Sequence, residues 1–442
     1  MGFPDLFWIG FVIMVGFFLK LVYDIQAGWT VSPHDLGVWV EEGWKPGGGV
    51  LGVIQYYYNM RRFPDIDPRT LTGYAGPPLY YILAAGLMGL FHGLMGWSVS
   101  ISLHLVQALN VIFVEVAMGC GISILSKFGV RGRKQVTSIL FLTFFPALYN
   151  LSASLTSDAL CFMMSMLSLS SALAWHETRQ KRKLMITAME LGIGLMCGYQ
   201  VILVLPAIIS LFVSAWEDGR TNTSILRNQY ATFFTEAGIL GLLWPVRQLV
   251  RFGISPFYVD AEAESWRSLA GISWLKRLAL PTAGQLTSVH MTGSTEEISN
   301  IWAQLIKTSV FDENALTLDL TGTRKLAVAL LYVVILSCLI SHVMLVWTLA
   351  VNRRNRAFFR FEVWGYGSMF VLYILWCLLH PSAGVVNFRF IPEIMIFPLL
   401  GMAMCGDRTE DDNLFERATS VAAAYFIFMM AVMTAFLFGF YH

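Results

Sequence analysis

The sequence predicts an all-α polytopic membrane protein, and three observations predict it. Hydrophobic residues make up 56% of the 442 positions, and the 37 glycines raise the apolar share to about 64%, where soluble chains show ~45–50%. Charged residues are only 13%, against ~25% in soluble domains, so a folded chain could not cover its surface with polar groups. Apolar runs of spanning length, ~17–25 residues, recur from one end of the chain to the other. A formal net charge of +1 offers no electrostatic case for a nucleic-acid partner. The six cysteines stand singly in apolar stretches without CxxC spacing, so neither a zinc site nor a disulfide framework is indicated.

The runs fall near 7–23, 98–125, 136–152, 157–175, 184–200, 201–216, 231–245, 325–349, 363–380, 391–405 and 419–441, which predicts about eleven transmembrane helices. Only Tyr199 and Gln200 separate the two halves of 184–216. The first run lacks a basic n-region and a small-residue cleavage site before Asp24, so it is read as a retained helix. A further run, 77–97, opens with Pro77-Pro78 and carries Gly86, Gly89, Gly93, Gly96 and His92; it is read as an interfacial or half-inserted helix.

Orientation follows from the basic residues. With the N-terminus in the cytoplasm, five short loops, 126–135, 176–183, 217–230, 350–362 and 406–418, hold sixteen of the thirty Lys and Arg, as the positive-inside rule expects. Counting 77–97 as a full span would move four of these loops to the other face. Lys20 runs against the rule and is expected to snorkel outward from the helix end. The chain then reads as one transmembrane domain, 1–442, with two long external loops, 24–97 and 246–324. Gly47-Gly48-Gly49 in the first of these is read as a hinge. Loops of that size on one face suit a catalyst that holds a soluble acceptor above a lipid-borne substrate.

Chemistry-bearing residues collect on that face. In SPHDLGVWVEEGW, Asp35 follows His34 about a dozen residues past the first span. A carboxylate near the membrane plane could deprotonate an acceptor hydroxyl, and it could equally cap a short helix through Val38, Trp39 and Val40. In FPDIDPRTLTGYAGPPLYYILAA, Tyr80 and Tyr81 open an apolar helix, either as belt residues or as ligands, and Arg61, Arg62 and Arg69 stand before it. Asp158 borders the fourth span, where an acidic group is expensive unless paired, capping or functional. Tyr149, Asn150, Ser152 and Ser154 line the same mouth. Arg247 in LLWPVRQLVRF and Arg389 with Asn387 in HPSAGVVNFRFIP lie near the external surface, where a guanidinium can snorkel or hold a phosphate bidentately.

At these residues the chain resembles the GT-C superfamily glycosyltransferases, in the family-39 branch related to protein O-mannosyltransferases and the aminoarabinose transferase of lipid A. The resemblance runs along most of the chain: His34-Asp35 as the acidic motif of the first loop, Pro77-Pro78-Leu79 followed by Tyr80-Tyr81, the series Pro146, Ser152 and Asp158, then WPVRQ with Arg247 and NFRFIP with Arg389. It implies a GT-C fold and a polyprenyl-phosphate-linked sugar (dolichyl- or undecaprenyl-phosphate) as donor. It implies transfer of a hexose or pentose, with inversion, to a hydroxyl of a glycan, lipid or protein acceptor on the non-cytoplasmic face. The membrane would be a bacterial cell membrane or the endoplasmic reticulum. Asp35 would be the general base; His34, Tyr80, Tyr81, Asp158, Arg247, Asn387 and Arg389 would bind substrate. Relatives differ on metal use, and Asp35 and Asp158 would hold a divalent cation, Mg or Mn, where one is needed. The residue before the PPL motif is commonly basic in relatives and reaches the donor phosphate, whereas here it is Gly76. Arg389 is the expected replacement. The missing cation also fits a non-catalytic membrane subunit of the same fold. A membrane protein partner is a further expectation. A transporter or flippase would instead require ionisable residues in mid-span and inverted repeats, and neither is read here.

Overall fold

The computed structural model describes residues 3–29, 36–255, 258, 268–287, 295–311, 324–351 and 356–404. The expected span 419–441 and the motif His34-Asp35 lie outside these. Among the described residues the chain is helical, and its one strand-like pairing is an isolated bridge between Ser268 and Ser382.

Helix α1 (Phe3–Ala27) leads into the first long loop, which contains α2 (Gly49–Met60) and α3 (Leu79–Met88). The bundle follows with α4 (Val99–Lys127), α5 (Arg133–Thr143), α6 (Pro146–Ala153), α7 (Asp158–Thr178), α8 (Lys181–Leu195), α9 (Leu205–Glu217) and α10 (Thr223–Phe252). Short helices α11 (Trp274–Leu278), α12 (Ala283–Thr287), α13 (Thr295–Ile298) and α14 (Ile301–Phe311) occupy the second long loop. The chain then continues through α15 (Arg324–Val351), α16 (Arg356–Glu362), α17 (Ser368–Leu379) and α18 (Ile396–Met404). Helix α7 is the hub, packed on α4 and α8, with α10 against α8, α1 against α4 and α5, and α15 against α18.

Among the described residues five helical segments are long and apolar enough to cross a membrane, and a sixth span results if α5 and α6, bent by 51° at the turn before Pro146, act together. A helix stands at each of the first ten expected runs, with shifted boundaries. The divide in 184–216 falls at Met196–Gly198, and Tyr199–Val204 forms a 3₁₀ turn leading into α9. Helix α3 widens into a π turn over Gly89–Leu94, and 16 residues are too few to span. At the end of the bundle opposite the long loops, Arg179 pairs with Asp218, and Arg360 with Glu217 at 2.6 Å. Three of the basic loops therefore share one end.

Two expectations about charge and one about flexibility are corrected. Lys20 does not snorkel. It is fully buried and ion-paired to Glu115 of α4 at 2.8 Å, with Met118 Sδ at 3.7 Å, because α1 presents this face to protein and not to lipid. Ionisable groups therefore do occur in mid-helix. Nor is Gly47–Gly49 a hinge: the Tyr74 hydroxyl donates to Gly47 O at 3.1 Å and Gly49 N to Thr72 O at 3.0 Å.

The stretch 61–78 between α2 and α3 lacks regular structure, so its carbonyls need donors from elsewhere. The last two turns of α10 supply them. Trp244 Nε1 donates to Ala75 O at 3.0 Å, Gln248 Nε2 to Tyr74 O at 2.9 Å, and Arg247 to Pro64 O. Arg251 forms a forked ion pair with Asp65 at 2.7 and 2.8 Å, and Arg69 reaches Phe252 O at 3.1 Å. Removing the two buried donors, by Trp244→Phe with Gln248→Ala, should cost about 1 kcal/mol for each bond. The loosened loop should then be cut faster than the parent within 61–76 in limited proteolysis of the detergent-solubilised protein.

Candidate functional site

Polar side chains meet where α1, α4, α6 and α7 end beneath the long loops. The α6–α7 junction leaves backbone carbonyls inside the protein, and amides of α4 satisfy them: Gln107 Nε2 reaches Ala153 O at 2.8 Å, and Asn110 Nδ2 reaches Ser154 O at 2.5 Å. The same Asn110 amide donates to the Tyr80 hydroxyl at 3.2 Å, which fixes the start of α3 against the junction. Leu79 N, immediately after the prolines, donates to Met196 O at 3.1 Å. Asn150 joins three elements, accepting from the Tyr23 hydroxyl at 2.8 Å and donating to Val310 O of α14 at 3.1 Å.

Asp158 sits at the first turn of α7 with both carboxylate oxygens occupied. Gln200 Nε2 donates to Oδ1 at 2.9 Å and Thr156 Oγ1 to Oδ2 at 2.8 Å, while Arg389 Nε lies 3.4 Å from Oδ2. Asp158 is buried and Arg389 largely so, with 6% and 12% of their side chains exposed, and the two charges neutralise each other. Arg389 is aimed by a short 3₁₀ turn, Phe388–Phe390, capped when Asn387 Oδ1 accepts from Arg389 N at 2.9 Å. Asn387 N donates in turn to the Tyr373 hydroxyl at 2.9 Å, and Phe388 N to Thr308 Oγ1 at 2.9 Å. Between these groups lies a cavity of about 10 Å³ bordered by Asn150, Ser154, Thr308, Asn387 and Arg389, large enough for one water.

Gly198 makes the Gln200 contact feasible. A Cβ at that position would lie 2.4 Å from Gln200 Oε1 and 2.6 Å from Cys161 Sγ. In the sequence Thr156 and Asn110 carry no signal, and Gln200 shows only as a polar residue interrupting the apolar run at 184–216.

Arg247 occupies a separate setting. Its guanidinium lies over the Trp244 ring at 4.8 Å and the Phe63 and Phe252 rings at 5.8 Å, and it donates to Pro64 O. Among the described residues its Nη1 is buried with no hydrogen-bond partner. The Tyr57 hydroxyl, buried and likewise without a partner, lies within electrostatic reach of the same guanidinium, and burial pushes its pKa up. Beside Arg247 opens a cleft of about 440 Å³ lined by Arg62, Phe63, Asp65, Val250 and Arg251. The Arg251 guanidinium holds the exposed Asp65 carboxyl below its usual range. The cleft therefore carries three guanidiniums against one carboxylate. Exposed Leu242, Leu243, Val246, Leu249 and Val250 on α10 form an apolar strip running toward it. Gly76 adjoins this region through Ala75, whose carbonyl Trp244 holds, and a Cβ at Gly76 would meet nothing within 4 Å.

The expected residues thus fall into two groups. Asp158, Asn387, Arg389 and Tyr80 surround the α6–α7 junction, with Tyr81 packed edge-on to Tyr80 at 5.8 Å. Arg247 lies at the foot of the first loop, and no described contact links it to Arg389. His34 and Asp35 lie outside the described residues.

As to a divalent cation, no group of three or more His, Cys, Asp or Glu suited to a metal occurs among the described residues. Both Asp158 oxygens already have donors and a guanidinium alongside, a poor setting for a second cation.

The sequence model of the dolichyl-phosphate-mannose-protein mannosyltransferase family matches residues 75–235, from the loop before Pro77-Pro78 into α10. Among curated proteins no sequence matches significantly. Among solved structures, the archaeal oligosaccharyltransferase AglB from Archaeoglobus fulgidus, in complex with an inhibitory peptide and a dolichol-phosphate, aligns over 98% of this chain at 12% identity and a TM-score of 0.53. The chain has the GT-C fold. The apo form of an Archaeoglobus fulgidus oligosaccharyltransferase aligns over 99% of this chain at 13% identity and a TM-score of 0.54. A third structure, its complex with Zn and sulfate, aligns over 96% at 12% identity and a TM-score of 0.52. This chain spans little more than half the length of those proteins, 56%, 57% and 53% in turn.

The buried Asp158–Arg389 pair generates a stability test. Arg389→Ala strands a buried carboxylate and should cost about 3–5 kcal/mol, whereas Arg389→Ala with Asp158→Asn should recover much of that loss. Thermal unfolding of the two variants in one detergent reads the difference.

Proposed function

We propose that the protein is a membrane glycosyltransferase that moves a sugar from a polyprenyl-phosphate-linked donor to an acceptor hydroxyl. The family match across 75–235 and the GT-C fold support that class of activity. The single observation that carries the donor assignment is the Arg247 cleft. A buried guanidinium nitrogen and a tyrosine hydroxyl without partners lie beside a basic cleft, at the head of an apolar strip on α10. A lipid with a phosphate head matches that combination, its tail along α10 and its phosphate on Arg247. Sequence reading assigned the cation missing at Gly76 to Arg389. The geometry favours Arg247, because Arg389 is already neutralised by Asp158 while Arg247 stands three residues from the indole that holds Ala75.

In the reaction, Asp35 acts as general base and takes the proton of the acceptor hydroxyl. The oxygen attacks the anomeric carbon, the new glycosidic C–O bond forms with inversion, and the bond to the lipid phosphate breaks. The departing phosphate carries negative charge, which Arg247 stabilises more strongly in the transition state than in the bound donor. The Asp158–Arg389 pair, with Asn387, Tyr80 and Tyr81, shapes the acceptor side. This face is extracytoplasmic, with the N-terminus in the cytoplasm, as the basic residues of the short loops support.

Purified protein with a short-chain polyprenyl-phosphate hexose should release or transfer the sugar. Asp35→Asn should reduce turnover by about 10²–10⁴-fold, the usual contribution of a general base, while still inserting in the membrane. Undiminished turnover in that variant removes Asp35 from the role. Arg247→Ala should lower kcat by about 10²–10³-fold, beyond the loss of about 1 kcal/mol of stability expected from its bond to Pro64 O, which thermal unfolding measures separately. If the parent binds the lipid phosphate but never turns it over, the protein is a non-catalytic GT-C subunit.

A further inference from the structure

A buried carboxyl beneath the candidate site takes no part in the chemistry proposed above. Asp24 lies on α1, one turn from its end, and is 4% exposed. The charged and titratable groups around it are Lys20 and Tyr23 on α1, Glu115 on α4 and Tyr149 on α6. Lys20 directs its ammonium to Glu115 Oε1 at 2.8 Å, so one cation meets one anion there and the pair balances. An ionised Asp24 would add an unbalanced negative charge inside the bundle.

The hydrogen bonds lead to the same conclusion without charge counting. Among the described residues Asp24 Oδ1 has one polar contact, Ser152 Oγ at 3.2 Å, and Oδ2 has none. Ser152 Oγ also lies 2.8 Å from Tyr149 O. A serine hydroxyl has one hydrogen and two acceptor sites, so it cannot donate fully to both oxygens. With a proton on Asp24 Oδ1 both observed contacts are satisfied and only the neutral carbonyl oxygen Oδ2 lacks a donor: the carboxylic acid donates to Ser152 Oγ, and Ser152 donates onward to Tyr149 O, the shorter contact. An ionised carboxylate would be left with at most the one Ser152 hydrogen, for which Tyr149 O competes, to serve its two oxygens, in a place where an unmet charge is expensive.

We propose that Asp24 is a proton-binding site, a neutral carboxylic acid that donates to Ser152 at the membrane end of the layer holding Tyr23 and Asn150. Its ligand is a single exchangeable proton. Uptake and release change the charge of the α1–α4–α6 contact by one without making or breaking any other covalent bond.

Infrared difference spectra of the intact protein in nanodiscs at neutral pH test this. Parent minus Asp24→Asn should show a carboxylic acid C=O band that shifts down in D₂O, with no carboxylate bands. Carboxylate bands in that difference would overturn the proposal. Should Asp24→Asn fail to fold, Ser152→Ala removes the acceptor and should move the same band to higher frequency, with its carboxylic acid character retained. A spectrum unchanged by Ser152→Ala would overturn the donation from Asp24. In melting experiments the isosteric Asp24→Asn should hold the parental transition temperature. A fall equal to that of Lys20→Met would mean that Asp24 is ionised and paired, which would also overturn the proposal.

Discussion

Irregular backbone at the end of a membrane bundle survives only if every carbonyl and amide finds a partner, because little water reaches it. This chain meets that constraint with neutral side-chain donors. Gln107 and Asn110 serve the α6–α7 junction, Asn150 bridges α1 to α14, Asn387 caps the turn that aims Arg389, and Trp244 with Gln248 holds the first loop. Amides suit the task because they donate and accept without a charge to desolvate. The low charge content of the chain and the order of its loops therefore have a common cause. Loop segments that elsewhere would be solvated are fastened here by uncharged groups projecting from rigid helices.

Once the backbone is satisfied in this way, the few charges acquire distinct settings. Arg389 is enclosed with a carboxylate that itself receives two further hydrogen bonds, so its field is largely cancelled within a few ångströms. Arg247 is surrounded by aromatic rings and a carbonyl, which stabilise a cation without neutralising it. Lys20 with Glu115 resembles the first case, and Asp24 avoids the problem by remaining uncharged on our reading. On the proposed reading an incoming anion gains more at Arg247 than at Arg389, although the sequence presents both as arginines beside an apolar run.

Much of this was legible in the sequence, and the omissions have a physical reason. Hydropathy located the helices at the first ten expected runs, since each depends on composition within a single window. The same windows placed Lys20 wrongly, because they average over a helix and do not distinguish a face turned to lipid from one turned to protein. Its partner lies 95 residues away on α4. The Asp158–Gln200 contact and the Asp158–Arg389 pair likewise join distant segments, so Asp158 was visible as an isolated acid but its role as a filled acceptor was not. Gln200 was read as a separator between two spans. It proved to be a ligand of Asp158, because the break in that span lies earlier, at Gly198, and turns the amide inward.

Gly76 is best understood from the same mechanics. A cation on an irregular loop depends on how that loop is held, whereas one on a helix inherits the rigidity of the helix. Here the loop around Ala75 is bound to α10 through Trp244, and Arg247 projects from the next turn, so loop and cation move as one body. The space about Gly76 is open, which means that crowding did not exclude a side chain there. A further cation at position 76 would, on the proposed reading, add to the three guanidiniums of the cleft, Arg62, Arg247 and Arg251, against which Asp65 is the lone lining carboxylate. On the proposed reading the phosphate-binding charge has moved from the loop to the helix, and glycine at position 76 is the arrangement that this move favours electrostatically.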